Sequence, residues 1–222
     1  MDFYSTIIRF FQDGGAFMYP IAIVLVCGVA IAIERWVFLT AARASNRKAF
    51  NQLMPLLKKR NFNEVLRVSN QLKAPMGRII GAGIARLAQS QRRDDIEYAM
   101  EEGVMEALPR LEKRTQYLAT LANIATLLGL LGTIIGLIAA FTAVANADPA
   151  EKASLLSQSI SVAMNTTAFG LISAIPLLLF HALLQTKTTE IVDSLEMAGV
   201  KVLNLLSDKA FSSSTRDSDA VK

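Results

Sequence analysis

The sequence predicts an all-α integral membrane protein: three transmembrane helices, with long helices extending into a cytoplasmic helical domain. Two observations carry this. Of the 222 residues, 52% are hydrophobic and 19% charged. That is too apolar for an ordinary soluble domain and too charged for a chain lying wholly in lipid. Three runs, Gly14–Ile33, Thr115–Ala147 and Ala153–Thr186, contain no Asp, Glu, Lys or Arg. Each supplies the about 20 apolar residues that a spanning helix needs.

The elements follow in chain order. Residues 1–13 read as a periplasmic amphipathic segment, with Phe3, Ile7, Phe10 and Phe11 turned to the membrane surface. The flank lacks the basic region of a cleaved signal peptide. Residues 14–39 form the first span, ending in "ERWVF" with Trp36 as interfacial anchor. There Glu34 and Arg35 read as a salt-bridged pair that sets the depth of the helix. Residues 40–114 form the cytoplasmic helical domain, with a break at Arg60-Asn61-Phe62-Asn63 and a helix start at Pro75. From Asp94 a helix with acids early and bases late runs towards the second span, kinked at Pro109. The second span is 115–145, a periplasmic loop is 146–157, and the third span is 158–186. A C-terminal cytoplasmic helix, 187–207, keeps an apolar stripe of Ile191, Leu195, Val202 and Leu206. Residues 208–222 have almost nothing to bury and read as a disordered tail.

Orientation follows from the bases. Fifteen of the 23 Lys and Arg lie between Thr40 and Thr115, while the 146–158 connection has only Lys152 and the N-terminal flank only Arg9. The positive-inside rule therefore puts the N-terminus outside and the C-terminus in the cytoplasm. The net charge of +4 accompanies no nucleic-acid motif. The single Cys27 permits neither an intrachain disulfide nor a cysteine metal site. No residue pattern calls for a metal or a cofactor.

Both long spans carry stripes of small residues. The second offers Ala122, Thr126, Gly129, Thr133, Gly136, Ala140 and Ala143, with Gly132 beside them. The third offers Ser159, Ala163, Thr166, Gly170 and Ser173. Such stripes let helix backbones approach, either within the chain or against a partner helix. Thr133 and Thr167, with Asn165 and Thr166, put polar groups at mid-membrane depth, where they mark ion pathways. Hydroxyls do not titrate near neutral pH, so they pass protons through water without storing one. A titrating carboxylate must then come from another chain. Catalysis by Ser173 and His181 fails on distance: eight residues of helix separate them by about 12 Å, and a nucleophile needs its base within about 3 Å.

Four segments carry a resemblance: "AIAIERWVFL", "APMGRIIGAGIARL", "ANIATLLGLLGTIIGLIAAF" and "ISVAMNTTAFGLISAIPLLLFHALL". They resemble, in order, the signature segments of the MotA/TolQ/ExbB proton-channel family, and three spans are closer to ExbB and TolQ than to the four of MotA. The resemblance implies a homopentamer in the bacterial inner membrane around an ExbD- or TolR-like single-span subunit, whose helix supplies an Asp. A TonB- or TolA-like protein stands further along that line of partners. It also implies that Thr133 and Thr167 line the ion path. The chain departs from the family pattern at Val162, where ExbB-like members often carry Glu, at Thr126 for Pro, and at His181 for Tyr. These departures leave H⁺ and Na⁺ both open, and leave a non-conducting scaffold as the alternative.

Overall fold

A computed structural model describes residue 11 and residues 14–90 and 92–219, with side chains as far as 206. The amphipathic segment expected over 1–13 lies outside the described residues except for Phe11, whose ring meets Phe169 edge-on at 5.0 Å. Six helices occur among the described residues: α1 (Met18–Lys58), α2 (Phe62–Gln71), α3 (Pro75–Leu87), α4 (Arg93–Glu112), α5 (Thr115–Ala145) and α6 (Lys152–Asp219). Three stretches, within Met18–Lys58, Arg93–Ala145 and Lys152–Leu206, are long and apolar enough to cross a membrane. The protein is therefore a multi-pass membrane protein. Its chain forms two compact units, passing between them at 35/36, 113/114 and 184/185.

The first unit holds residues up to Arg35 together with Arg114–Leu184. Its core is made of small groups: Ala122, Ala125, Ala140, Ala163 and Ala174 are buried, with Ile21, Leu118 and Leu177 filling the wider gaps. The second unit holds Trp36–Lys113 and the chain from Gln185 onward. Its core is built from larger residues, among them Leu53, Val65, Ile79, Ile80, Ile84, Ile191, Leu195 and Val202. Helix α3 packs on both α2 and α4.

Helix ends are fixed by identifiable devices. Arg60 turns left-handed at φ 57°, which lets the Asn61 N–H reach the Leu56 carbonyl at 3.1 Å and closes α1. Asn61 then caps α2 by accepting the Glu64 N–H. Helix α3 begins at Pro75 with no side-chain cap of its own. Its cap comes from α1 instead: buried Asn46 accepts the Met76 N–H at 3.2 Å through Oδ1. Two contacts hold α1 beside α6 in this unit. Lys187 Nζ lies 2.8 Å from Thr40 Oγ1 and 3.7 Å from the centroid of the Trp36 ring, and Arg43 pairs with Glu190 at 3.0 Å.

Three expectations differ from this fold. The helix passes through Pro109 and stops at Glu112, and the break before the second span is Arg114 in the left-handed region at φ 67°. The loop expected over 146–157 closes sooner. The Asp148 carbonyl accepts the N–H groups of Glu151 and Lys152 across Pro149, and α6 starts at Lys152. The backbone of α6 stays helical to Asp219, through most of the segment read as a disordered tail. No Gly or Pro follows Gly199 to stop it, and extending an existing helix costs little compared with starting one.

Candidate functional site

The site grows from a seam where α5 and α6 lose their side chains. A Cβ placed on Gly170 would sit 2.8 Å from the Ala125 carbonyl oxygen and 3.0 Å from Gly129 Cα. One on Gly129 would meet the Cα atoms of Gly170 and Thr167 at 3.3 Å, and one on Gly136 would meet Ala163 Cβ at 2.8 Å. Gly132 faces Thr166. Gly129, Gly132, Ala140, Ala163 and Gly170 are all buried, so the chain's own two helices occupy the small stripes. In hydrocarbon there is no hydrophobic drive between helices, and backbone contact of this kind supplies the packing.

Close approach brings two hydroxyls onto one carbonyl. The Thr167 hydroxyl donates across the seam to the Gly129 carbonyl at 2.8 Å, and the Thr133 hydroxyl lies 3.3 Å from the same oxygen. The two hydroxyls are also hydrogen-bonded neighbours. Three oxygens thus share two hydroxyl protons. Only two edges of the triangle carry a hydrogen bond at once, and the third leaves lone pairs facing each other. Thr133 and Thr167 are half-buried, so this acceptor-rich corner keeps one open side. It can accept a proton donor such as water or a carboxylic acid, or offer oxygens to a hard cation.

Thr166 is turned elsewhere. Neighbours on a helix point about 100° apart, so Thr166 and Thr167 cannot share a face. Thr166 is 2% exposed, and its hydroxyl lies 2.7 Å from the Gly14 carbonyl and 2.9 Å from that of Val162. There it anchors the Gly14 turn that leads into the first span. Asn165 is half-buried and stands one position before it.

The family model described as the MotA/TolQ/ExbB proton channel family matches residues 71–197, more than half of the chain. The chain belongs to this family. A biopolymer transport protein ExbB homolog of Methanothermobacter thermautotrophicus is 29% identical over 199 residues, covering 89% of this chain and 69% of that protein. An ExbB-like 3 protein of Synechocystis is 27% identical over 168 residues, 75% of this chain and 79% of its own. The Tol-Pal system protein TolQ of Haemophilus influenzae is 32% identical over 93 residues, 42% of this chain and 40% of its own.

The part of this MotA/TolQ/ExbB chain that matches includes the whole hydroxyl triangle, and a second polar layer brings Arg114, Thr115 and His181 of that part near Glu34 and Arg35 outside it. In that layer Glu34 pairs with Arg114 at 3.6 Å. Consecutive helix residues diverge, and Arg35 is itself 3% exposed. The Thr115 carbonyl is an acceptor only, so His181 Nδ1, 3.0 Å away, donates to it. Ser173 is fully buried and its hydroxyl has no partner among the described residues. Nothing joins it to His181. Arg114 and the Thr115 carbonyl escaped the sequence reading, because a left-handed arginine and a backbone oxygen leave no mark in composition.

Proposed function

We propose that this chain is the channel subunit of an energy-transducing complex in the bacterial inner membrane, with its N-terminus periplasmic and its C-terminus cytoplasmic. Five copies surround the helix of an ExbD- or TolR-like single-span partner, and ion flow drives movement of that partner, which engages a TonB- or TolA-like protein. Members of this family normally work with ExbD- or TolR-like subunits, and such a subunit supplies the membrane Asp that these spans lack. The observation that carries the proposal is the half-open triangle of Gly129, Thr133 and Thr167 on two spans without any charged residue. When the partner's Asp is ionised, the triangle offers it hydroxyl donors. When the Asp is protonated, the Gly129 carbonyl and the hydroxyl oxygens accept from it. The contact is therefore favourable in both protonation states but differently arranged, which is what a hand-over site needs. The small residues Gly129, Gly132, Gly136, Ala140, Ala163 and Gly170 serve indirectly, by setting the helix spacing that lets the hydroxyls meet. Asn165 adds a polar group at the same depth, and Glu34, Arg35 and Arg114 stand at the cytoplasmic edge.

The test is ion flux into vesicles holding the chain with its partner, against a control whose partner lacks the Asp. Thr133→Val and Thr167→Val keep the shape and remove the hydroxyl. Each should lower flux at least about tenfold, while stability falls by only about 1 kcal/mol per lost hydrogen bond. Thr→Ser at either position should keep flux. Unchanged flux in both valine variants would remove the ion-path role. Val162, where ExbB-like members often carry Glu, favours the second reading, a non-conducting scaffold. That reading requires assembly with the partner and flux no higher than the control.

A further inference from the structure

Outside the spans, large apolar side chains stand exposed on two helices, and two of them, Met105 and Val200, line one groove. In the second unit Tyr98 (67% exposed), Met105 (68%), Met197 (59%) and Val200 (51%) are open, all on α4 or the distal part of α6. An apolar patch on helices this charged marks a surface built to be covered by protein. The patch borders a groove of about 380 Å³ with Met100, Val104 and Leu203 in its walls. Glu97, Glu101 and Glu196 stand on its rim. None of the three forms an ion pair among the described residues.

The complementary surface lies on the same chain. Residues 41–60 hold six Lys or Arg and no acid, whereas α4 holds seven acids against two bases. Asn46, Ala49, Leu53 and Leu57 of that strip are buried in their own unit, which turns Arg47, Lys48, Lys58 and Lys59 outward. Level matters too. The Thr40–Lys187 and Arg43–Glu190 contacts both join residues 147 apart, so α1 and α6 run parallel here. At that offset the 196–203 side of the groove stands level with residues 49–56 of α1. Copies held in one bilayer by the same spans share that depth. A rotation about the membrane normal then suffices to bring the strip of one copy to the groove of the next, a head-to-tail contact that closes into a ring.

We infer that the acidic groove between α4 and α6 receives the basic 41–60 strip of α1 from a neighbouring copy of this chain. The inference rests on the homo-oligomer proposed above. The full-length protein is used in detergent and in vesicles, in a Cys27→Ala background. Two tagged chains are co-expressed, one with Gln52→Cys and the other with Val200→Cys, and oxidation should link the two tags. Reversing the groove (Glu97→Lys, Glu101→Lys, Glu196→Lys) or the strip (Arg47→Glu, Lys48→Glu, Lys59→Glu) should each raise the monomer share about tenfold in native mass spectrometry. One chain carrying both reversals, with a basic groove and an acidic strip, should restore the oligomer. A monomeric wild type would defeat the oligomer and this inference with it. An oligomer with no link and no response to either reversal would overturn the docking alone. A Val200→Cys link to a different protein would assign the groove to another partner and likewise overturn it.

Discussion

The two units of this molecule solve the same packing problem with opposite materials. In the first, α5 and α6 meet through missing side chains, and Gly170 rests against backbone atoms of Ala125 and Gly129. In the second, helices are spaced by Leu53, Ile79, Ile80 and Leu195, with a buried amide, Asn46, tying α1 to the start of α3. Water drives burial of large apolar groups where water is present. Within lipid that drive is absent between helices, so intimate backbone contact and shared hydroxyls take over. Packing by glycine has a functional by-product: only helices this close can bring Thr133 and Thr167 onto one carbonyl.

One helix contains both regimes, which gives the most direct way to break the comparison. Adding a single methyl at Gly170 forces a shift of backbone rather than of a flexible side chain. Gly170→Ala should destabilise the first unit by about 2–3 kcal/mol. Hydrogen exchange should rise across the α5 and α6 amides near the seam, and flux should fall as the triangle opens. Unchanged exchange there would mean that the seam is loose and the contrast false.

Along the same helix, in the second unit, a Cβ on Gly199 would meet only Met100 Cε, at 3.6 Å. There the helix-forming advantage of alanine should prevail, and Gly199→Ala should stabilise by about 0.5–1 kcal/mol. Slower exchange of the surrounding α6 amides is the expected reading. A loss of protection would show that both units pack at the same tolerance.

The smallest effect sharpens the second unit alone. The hydrogen bond from Arg67 holds the Glu64 carboxyl below its ordinary range in the first turns of α2. A carboxyl depressed in the folded state stabilises at pH above its unfolded value, and that contribution disappears as pH falls through the folded one. The α2 amides should therefore be better protected in the wild type than in Glu64→Gln at neutral pH, with the difference vanishing in acid. An equal difference at both pH values would assign the effect to the cap at Asn61 instead.

What was legible in the sequence follows the same division. The bounds of α5 were plain because charge ends at Arg114 and returns at Asp148. Thr133 and Thr167 were named from their depth and from the family resemblance, whereas the third span's stripe runs through Thr166; the start of α3 was legible from Pro75. Facing was harder. Thr166 looks like Thr167 in composition, and only the third dimension sends its hydroxyl to Gly14. The cap on Met76 comes from a residue thirty positions upstream, a separation across which local patterns carry no information. The partner of Glu34 likewise depended on where the chain broke, and left-handed Arg114 set that break against the bland expectation of a continuous helix.

The paired rungs between α1 and α6 have a mechanical meaning. Thr40 with Lys187 and Arg43 with Glu190 are two fasteners set at one offset, one turn apart along parallel rods. Rods fastened at two heights resist shearing, since slippage would strip both rungs at once. A load applied to either must flex the pair together, as a single beam.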